Sequence, residues 1–144
     1  MKKTMLRMVA FASLLVTSCG DDESPTEPQP PAPGDIWTLQ STITTTYLFD
    51  VAWSGTRYVA VGESGTILTS LDGFHWTSLP SPTNNDLFGV TWSGEQFVAV
   101  GNIGTIATSQ DGTKWSLVDS NVTSNWLHSV ASSGTAFVAV GQNG

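Results

Sequence analysis

The sequence predicts an all-β protein whose folded part consists of β-propeller blades, each a sheet of four antiparallel strands. Trp37, Trp76 and Trp115 recur at intervals of 39 residues, and most of the chain between them repeats as well. Each complete repeat contains four short apolar runs separated by turn residues. A period near 40 residues with four strands per unit is typical of propeller blades.

The repeat is visible in three segments of nearly constant sequence. The first repeat contains LFDVAWSG (48–55), YVAVG (58–62) and GTILTS (65–70), and the second contains LFGVTWSG (87–94), FVAVG (97–101) and GTIATS (104–109). A third repeat begins at Leu127 and contains FVAVG at 137–141. All three repeats therefore begin with the same pair of strands.

The first two strands of a repeat differ in their apolar pattern. The first strand, 48–53, alternates between two sets of side chains, and a Ser-Gly turn follows it. The second strand, 57–62, is apolar without interruption from Tyr58 to Val61. A continuous apolar run suits a strand that neighbouring blades cover on both faces.

The third and fourth strands are joined by a turn that repeats. The third strand, 66–70, is rich in β-branched residues, and an Asp-Gly hairpin signal leads into the fourth, 75–79. An Asp in such a turn accepts backbone N–H groups, and a Trp after it packs across the hairpin. We therefore expect structural roles for the repeated residues Trp37, Asp72, Trp76, Asp111 and Trp115.

The turn segment carries a resemblance to a known family. Ser70-x-Asp72-Gly73-x-x-Trp76 recurs as Ser109-x-Asp111-Gly112-x-x-Trp115. It resembles the Asp-box, or BNR-like repeat, of sialidase-like propellers, with one residue fewer between Asp and Gly. With the VAVG and GTI runs, the chain is more similar to propellers of the photosystem II assembly and stability factor type. The resemblance covers 36–144 and implies a propeller, with assembly-factor work in photosynthetic members.

The repeats do not add up to a closed ring. The pattern gives a stray fourth strand at 36–46, blades at 47–79 and 86–118, and a partial blade at 126–144. Closure needs four to eight blades, so about 2.5 blades are too few. We expect a truncated sequence whose missing blades belong to the same chain; the alternative is a ring completed by further copies as a homo-oligomer.

The start of the chain reads as a lipoprotein signal peptide at 1–18. A basic segment with Lys2, Lys3 and Arg7 precedes a short apolar stretch, which ends in small residues before Cys19. This arrangement resembles a bacterial lipobox and implies a lipid on Cys19; the alternative is a plain secretory signal. Residues 19–35 are rich in Pro and acids and form a disordered linker. We expect secretion through the inner membrane and lipid anchoring in the envelope, at the outer membrane or cell surface.

Charge and composition exclude several classes of function. After the signal peptide the chain keeps two basic residues, Arg57 and Lys114, against twelve acids. Nucleic-acid binding requires clustered Lys and Arg, so we expect no nucleic-acid partner. One cysteine cannot form an intrachain disulfide. No metal-ligand spacing or phosphate-binding loop is present, and we expect no metal, no cofactor and no catalytic residues in this segment.

The candidate binding face lies where the loops after the second and fourth strands meet. The aligned positions there hold different residues in each repeat, although the sequence around them repeats. We expect such variable loop positions to carry the function. Aromatic members can stack on a sugar ring or a peptide side chain, and polar members can hydrogen-bond. The candidates are Tyr47, Glu63, Asn85, Asp86, Asn102, Asn125, Trp126 and Gln142.

The sequence gives less specific indications for the two histidines and for the carboxylate of Asp50. His75 lies in the Asp-Gly hairpin, so we expect it to be exposed. His128 aligns with Phe49 and Phe88 on the first strand, so we expect it to replace a core ring. Asp50 aligns with Gly89 and Ser129 on the first strands of the other repeats, and we expect this row to line a central channel.

Two functions follow from this reading. The first is a non-catalytic, lipid-anchored binding or scaffold module with a protein or glycan partner. The alternative is a fragment of a sialidase-like glycoside hydrolase whose catalytic residues lie in missing blades. The resemblance implies that such a hydrolase uses an arginine cluster and a tyrosine nucleophile; one arginine, Arg57, follows the signal peptide. The sequence therefore favours the binding module.

Overall fold

The computed structural model describes residues 5–8, 37–40, 43–119 and 123–143. They form an all-β protein of antiparallel sheets. The chain divides into two compact units, a hairpin within 4–41 and the repeat region from 42 onward. Most of the predicted signal peptide, Cys19 and the whole predicted linker (19–35) lie outside the described residues. Among the residues described, no helix has the length and apolar character that crossing a bilayer requires.

The hairpin unit has two short strands. β1 (Met5–Met8) pairs antiparallel with β2 (Trp37–Gln40), and Met8 lies opposite Trp37. The sequence predicts a stray fourth strand at 36–46, and within these bounds the structure describes a strand at 37–40 that pairs with β1. The side chain of Trp37 is not among those described, so its expected structural role stays a prediction.

The repeat region contains two four-stranded sheets and one two-stranded sheet, each with its strands in chain order. All neighbouring strands are antiparallel. The strands are β3 (Leu48–Trp53), β4 (Tyr58–Gly62), β5 (Ile67–Ser70), β6 (Thr77–Leu79), β7 (Leu87–Trp92), β8 (Phe97–Gly101), β9 (Ile106–Ser109), β10 (Ser116–Leu117), β11 (Leu127–Ser132) and β12 (Phe137–Gly141).

Turn chemistry shortens two of the predicted strands. The third strand begins at Ile67 because Thr66 closes a one-turn 3-10 segment, with its N–H donating to the carbonyl of Glu63 at 3.0 Å. The fourth strand begins at Thr77 because the Asp-Gly turn occupies the residues up to Trp76. The indole of Trp76 is buried and donates to the carbonyl of Gly73 at 3.1 Å.

The apolar core lies between consecutive sheets. Val59 and Val61 of β4 pack with Leu87, Val90 and Phe97 of the second repeat. Val98 and Val100 of β8 pack in the same way with Val130 and Leu127 of the third. The predicted coverage of the second strand on both faces is confirmed for β4 and β8, whose apolar run from the second residue onward is buried. β12 has the same sequence pattern, but its apolar residues are exposed.

The first strands of consecutive repeats lie against one another. Asp50 on β3 accepts a hydrogen bond from the backbone N–H of Val90 on β7 at 2.8 Å. A Cβ on Gly89 would lie 3.0 Å from the Cα of Ser129, so β7 and β11 also approach closely. The sequence predicts that Asp50 lines a central channel. In the structure its carboxylate links the first strands β3 and β7 by a hydrogen bond.

The Asp-Gly turns hold their carboxylates as the sequence predicts. The oxygen Oδ1 of Asp72 accepts the backbone N–H groups of Phe74 and His75, each at 2.8 Å. The ring Nδ1 of His75 lies 2.7 Å from Oδ2, and the His75 side chain is exposed as expected. These bonds, with that of the His75 ring first among them, hold the pKa of Asp72 well below its usual range.

The second turn reproduces the first with a different side-chain donor. The hydroxyl of Thr113 donates to Asp111 at 2.6 Å, and the backbone N–H groups of Thr113 and Lys114 donate at 2.8 and 3.0 Å. The Thr113 hydroxyl is the main cause of a pKa well below the usual range for Asp111, and the two backbone donors add to it.

We expect Asp111→Asn to remove a pH-dependent part of the stability. The carboxyl pKa is lower in the folded chain than in the unfolded chain, so the unfolded state binds more protons as the pH falls. The contribution is fully present above the unfolded pKa of about 3.9 and is lost below it. Thermal unfolding should show a Tm deficit for Asp111→Asn at about pH 7 that shrinks towards about pH 2.

The control is Glu95→Gln, which neutralises an exposed acid at the same end of the sheet. We expect its Tm to follow that of the original chain at both pH values. A deficit of Asp111→Asn that is equally large in acid and at neutral pH would contradict the role assigned to the carboxylate.

Candidate functional site

The predicted binding residues lie at one end of the three sheets, which we call the loop end. It comprises the turns after the second strands (63–65, 102–104 and 142–143) and the loops before the first strands (43–47, 80–86 and 123–126). The Asp-Gly turns lie at the opposite end, because each strand runs the length of its sheet. The structure therefore brings all eight predicted residues to one end.

A close backbone contact fixes each loop to its turn. The N–H groups of Glu63, Asn102 and Gln142 donate to the carbonyls of Tyr47, Asp86 and Trp126 at 2.8, 2.9 and 2.8 Å. The residue before each donor is a glycine, and a Cβ there would lie only 1.9–2.0 Å from the same carbonyl oxygen. The glycines concerned are Gly62, Gly101 and Gly141. Six of the eight predicted residues are thus held together in three pairs by a backbone approach that only glycine permits.

Two carboxylates at the loop end accept backbone hydrogen bonds. Glu63 accepts from the N–H of Tyr47 at 3.2 Å, within its own repeat. Asp86 accepts from the N–H of Ser64 at 2.7 Å, which links the second repeat to the first. Ser64 has a φ of 55°, in the left-handed region, and lies in the 3-10 turn at Glu63–Gly65. The carboxylates therefore stabilise the loop arrangement.

Asn85 and Asn125 take part in hydrogen bonds that hold the loops, Asn85 through its side chain and Asn125 through its backbone. The side-chain amide of Asn85 donates to the Thr105 hydroxyl at 2.8 Å. The carbonyl of Asn125 accepts from the N–H of Gly104 at 2.8 Å, and its own N–H donates to Thr123. The Asn85 bond joins a loop to the turn of the repeat that the loop leads into, and the Gly104–Asn125 bond joins a loop to the turn of the preceding repeat. Among the described residues, the buried Oδ1 of Asn102 has no hydrogen-bond partner.

Four aromatic rings form a continuous row beside these loops, which we call the ring row. Phe88 lies at its centre, with ring centroids 5.5 Å from Phe49, 5.5 Å from His128 and 5.8 Å from Trp126. Phe49 and Trp126 are 45% and 42% exposed, and His128 is exposed as well. Each of the three repeats contributes to the row, so it crosses both boundaries between them.

The expectation that His128 replaces a core ring is wrong. The strand register shifts between Leu48 and Asp50, between Leu87 and Gly89, and between Leu127 and Ser129. The residue inside each shift, Phe49, Phe88 or His128, is the extra residue of a β-bulge and stands outside the strand pairing. The bulge breaks the alternation that assigned these rings to the core, and their rings are exposed or half-buried instead.

The loop end is acidic. Glu63, Asp86 and Asp119 lie there, and within the described ranges it carries neither Lys nor Arg. Arg57 and Lys114 lie at the opposite end, where Arg57 donates to the Thr69 hydroxyl at 3.2 Å. No group of three His, Cys, Asp or Glu side chains in the described part of the chain is placed to hold a metal ion.

No family model matches the chain, and no curated protein matches it. The site is therefore defined by its geometry alone. The geometry unites Tyr47, Asp86 and Trp126 with their turns, as the sequence predicts, and adds two residues that the sequence placed in the core, Phe49 and Phe88. The sequence contained an indication that these two rings are accessible to solvent. Both align with His128, and histidine is uncommon in a fully apolar environment.

Proposed function

We propose that the chain is a non-catalytic binding module, anchored in the bacterial cell envelope by a lipid on Cys19, that holds a protein or glycan partner at the loop end. The observation that carries the proposal is the ring row. Rings from three consecutive repeats lie together, exposed or half-buried, beside loops whose residues differ from repeat to repeat.

The ring row has the chemistry of a contact surface. Contiguous exposed apolar surface is costly in water and marks interaction sites in soluble domains. Aromatic rings supply a large contact area, and sugars and peptide side chains both stack on them. Tyr47, Asp86 and Trp126 occupy equivalent positions in the three repeats but have different side chains. The surface therefore presents a different chemical group at each repeat.

We also propose that the repeats are blades of a β-propeller of the Asp-box type, similar to the photosystem II assembly and stability factor family. Three observations support this architecture: the four-stranded antiparallel sheets, the apolar clusters between consecutive sheets, and the adjacent first strands. The Ser-x-Asp-Gly turns with their buried Trp76 support the Asp-box assignment.

The anchor assignment rests on charge as well as on the signal pattern. With two basic residues against twelve acids after position 18, the chain is repelled by an anionic membrane surface. We therefore propose the lipid as the anchor, because two or three acyl chains hold a protein firmly at a membrane. Residues 20–34 of the linker span roughly 45 Å at most, at about 3 Å per residue, which would hold the binding face clear of the membrane.

Phe49→Ala and Trp126→Ala, which truncate rings that are 45% and 42% exposed, should each weaken partner binding without lowering the Tm. Both rings lie at the surface of the ring row, and truncating a central aromatic in an interface costs at least about 2 kcal/mol, or roughly thirtyfold in Kd. A glycan array and an envelope pull-down identify the partner with the original chain, and titration of that partner measures both variants.

The matched control is Phe74→Ala, which removes a ring that is 43% exposed at the opposite end of the sheet. We expect it to bind the partner like the original chain. Unchanged binding by both ring-row variants, or an equal loss in Phe74→Ala, would show that the partner does not bind at the loop end.

Cys19→Ser should release the protein from the membrane fraction. Serine cannot form the thioether that carries the lipid, and an anionic membrane surface repels the acidic chain. Metabolic labelling with a radioactive fatty acid and membrane fractionation measure both effects in the same cells. If Cys19→Ser is still labelled and sediments with membranes, the anchor is not on this residue.

A further inference from the structure

The turn at 102–104 contains a residue that its own conformation disfavours. Ile103 has a φ of 54°, in the left-handed region, and its side chain is 59% exposed. The branched Cβ of isoleucine makes this region costly, whereas asparagine tolerates it. The equivalent residues of the other two repeats are polar: Ser64 has a φ of 55° and Asn143 a φ of 61°. Of the three described turns, only the second places a large apolar side chain at this position.

The exposure of Ile103 belongs to the tip of the turn and not to an uncovered sheet face. Ile103 lies in the second repeat, which packs against a repeat on each side. The loop of the third repeat contacts its turn, because the N–H of Gly104 donates to the carbonyl of Asn125 at 2.8 Å. Ser64 is exposed as well, with the second repeat bonded to its backbone. The side chain at this position is therefore open to solvent even where both neighbouring repeats are present.

The repeat order places Ile103 beside the ring row. At the boundary between the first and second repeats, the N–H of Ser64 donates to the carboxylate of Asp86 at 2.7 Å. Ile103 and Trp126 occupy these two positions at the boundary between the second and third repeats. Trp126 is 42% exposed, and its ring centroid lies 5.8 Å from that of Phe88. We call Ile103, Trp126 and Phe88 the apolar corner, which extends the ring row to the tip of the turn.

The polar side chains around the apolar corner already have partners within the protein. The side-chain amide of Asn85 donates to the hydroxyl of Thr105. The carboxylates of Glu63 and Asp86 accept backbone N–H groups. A glycan presents many hydroxyls, and each hydroxyl that loses water needs a polar partner. The loop end therefore offers an incoming molecule mainly apolar surface and negative charge.

We propose that the apolar corner binds an apolar side chain of a protein partner, and that Lys or Arg next to that side chain faces the acidic loop end. The charges are complementary, since the described part of the loop end carries acids and neither Lys nor Arg. A cation that lies over the ring of Trp126 gains a cation–π interaction as well. The inference rests on the proposed binding function and names a protein, and not a glycan, as the partner.

The conformation of Ile103 supports a role in binding. A strained backbone conformation persists where function requires it, and an exposed apolar side chain is a second cost in the free chain. Burial against a partner removes the second cost. Asparagine at position 103 removes both costs in the free chain but leaves the partner without its apolar contact. Stability and binding should therefore change in opposite directions.

The experiment uses the full chain with Cys19→Ser, which cannot carry the lipid. A displayed library of random peptides is selected on this chain, and titration calorimetry with synthetic copies of the selected peptides gives their Kd. We expect the selected peptides to share a large apolar residue next to Lys or Arg. Their affinity should fall as the salt concentration rises, because salt screens the attraction to the acidic loop end.

Ile103→Asn, which introduces the residue of the third repeat, should weaken peptide binding at least about tenfold. It should also raise the Tm by about 4 °C or more, because the left-handed conformation no longer carries a branched Cβ. Ile103→Ser, the residue of the first repeat, should weaken binding in the same way. Leu71→Asn is the matched control, since Leu71 is 64% exposed at the opposite end of its sheet and lies outside the left-handed region. We expect it to leave the peptide affinity unchanged and not to raise the Tm.

Several results would overturn the inference. They are a selection that yields no peptide, selected peptides that lack an apolar residue or are acidic, and a Tm of Ile103→Asn that falls together with its affinity. A glycan that binds the Cys19→Ser chain in a glycan array and loses affinity in Ile103→Asn would overturn the choice of a protein partner. Peptide binding that Trp126→Ala weakens and Ile103→Asn leaves unchanged would overturn this inference alone. Binding that neither variant weakens would overturn the proposed binding at the loop end as well.

Discussion

The Val-Ala-Val run in the second strand of every repeat is the constraint on which the structure depends. It places apolar side chains on both faces of a strand, so the strand is stable only with a sheet on each side. β8 meets this condition fully, since its residues pack with the first repeat on one face and with the third on the other. Repetition of the sequence is therefore a physical necessity, because one repeat supplies the cover of the next.

The same stacking creates the candidate site. When consecutive sheets pack face to face, their first strands come together and their loop ends meet. A glycine at the end of each second strand admits the carbonyl before the first strand, and the side chains of Tyr47, Asp86 and Trp126 are thereby carried to one end. Phe49, Phe88 and Trp126 then lie in one row although they belong to three different repeats.

Much of the fold of the repeat region could be predicted from sequence because its determinants are local. Turn residues and apolar runs located the strands to within two residues, and the Asp72 turn behaves as its spacing indicates. The position of His128 could not be predicted, because the bulge that exposes it arises from the pairing of Leu127 with Gly141, distant in sequence. The bond from Ser64 to Asp86 depends on how two sheets sit together, and no local pattern contains it.

Amide hydrogen exchange tests most directly the claim that coverage, and not sequence, stabilises each repeat. The pairs β3–β4, β7–β8 and β11–β12 have the same register and similar sequences. They differ in coverage, because β3, β11 and β12 have exposed residues, whereas β7 is buried or half-buried throughout and β8 is fully buried. In dilute chain we expect the β7–β8 amides to exchange at least about tenfold more slowly than the equivalent amides of the other two pairs. Equal protection of all three pairs would contradict the account.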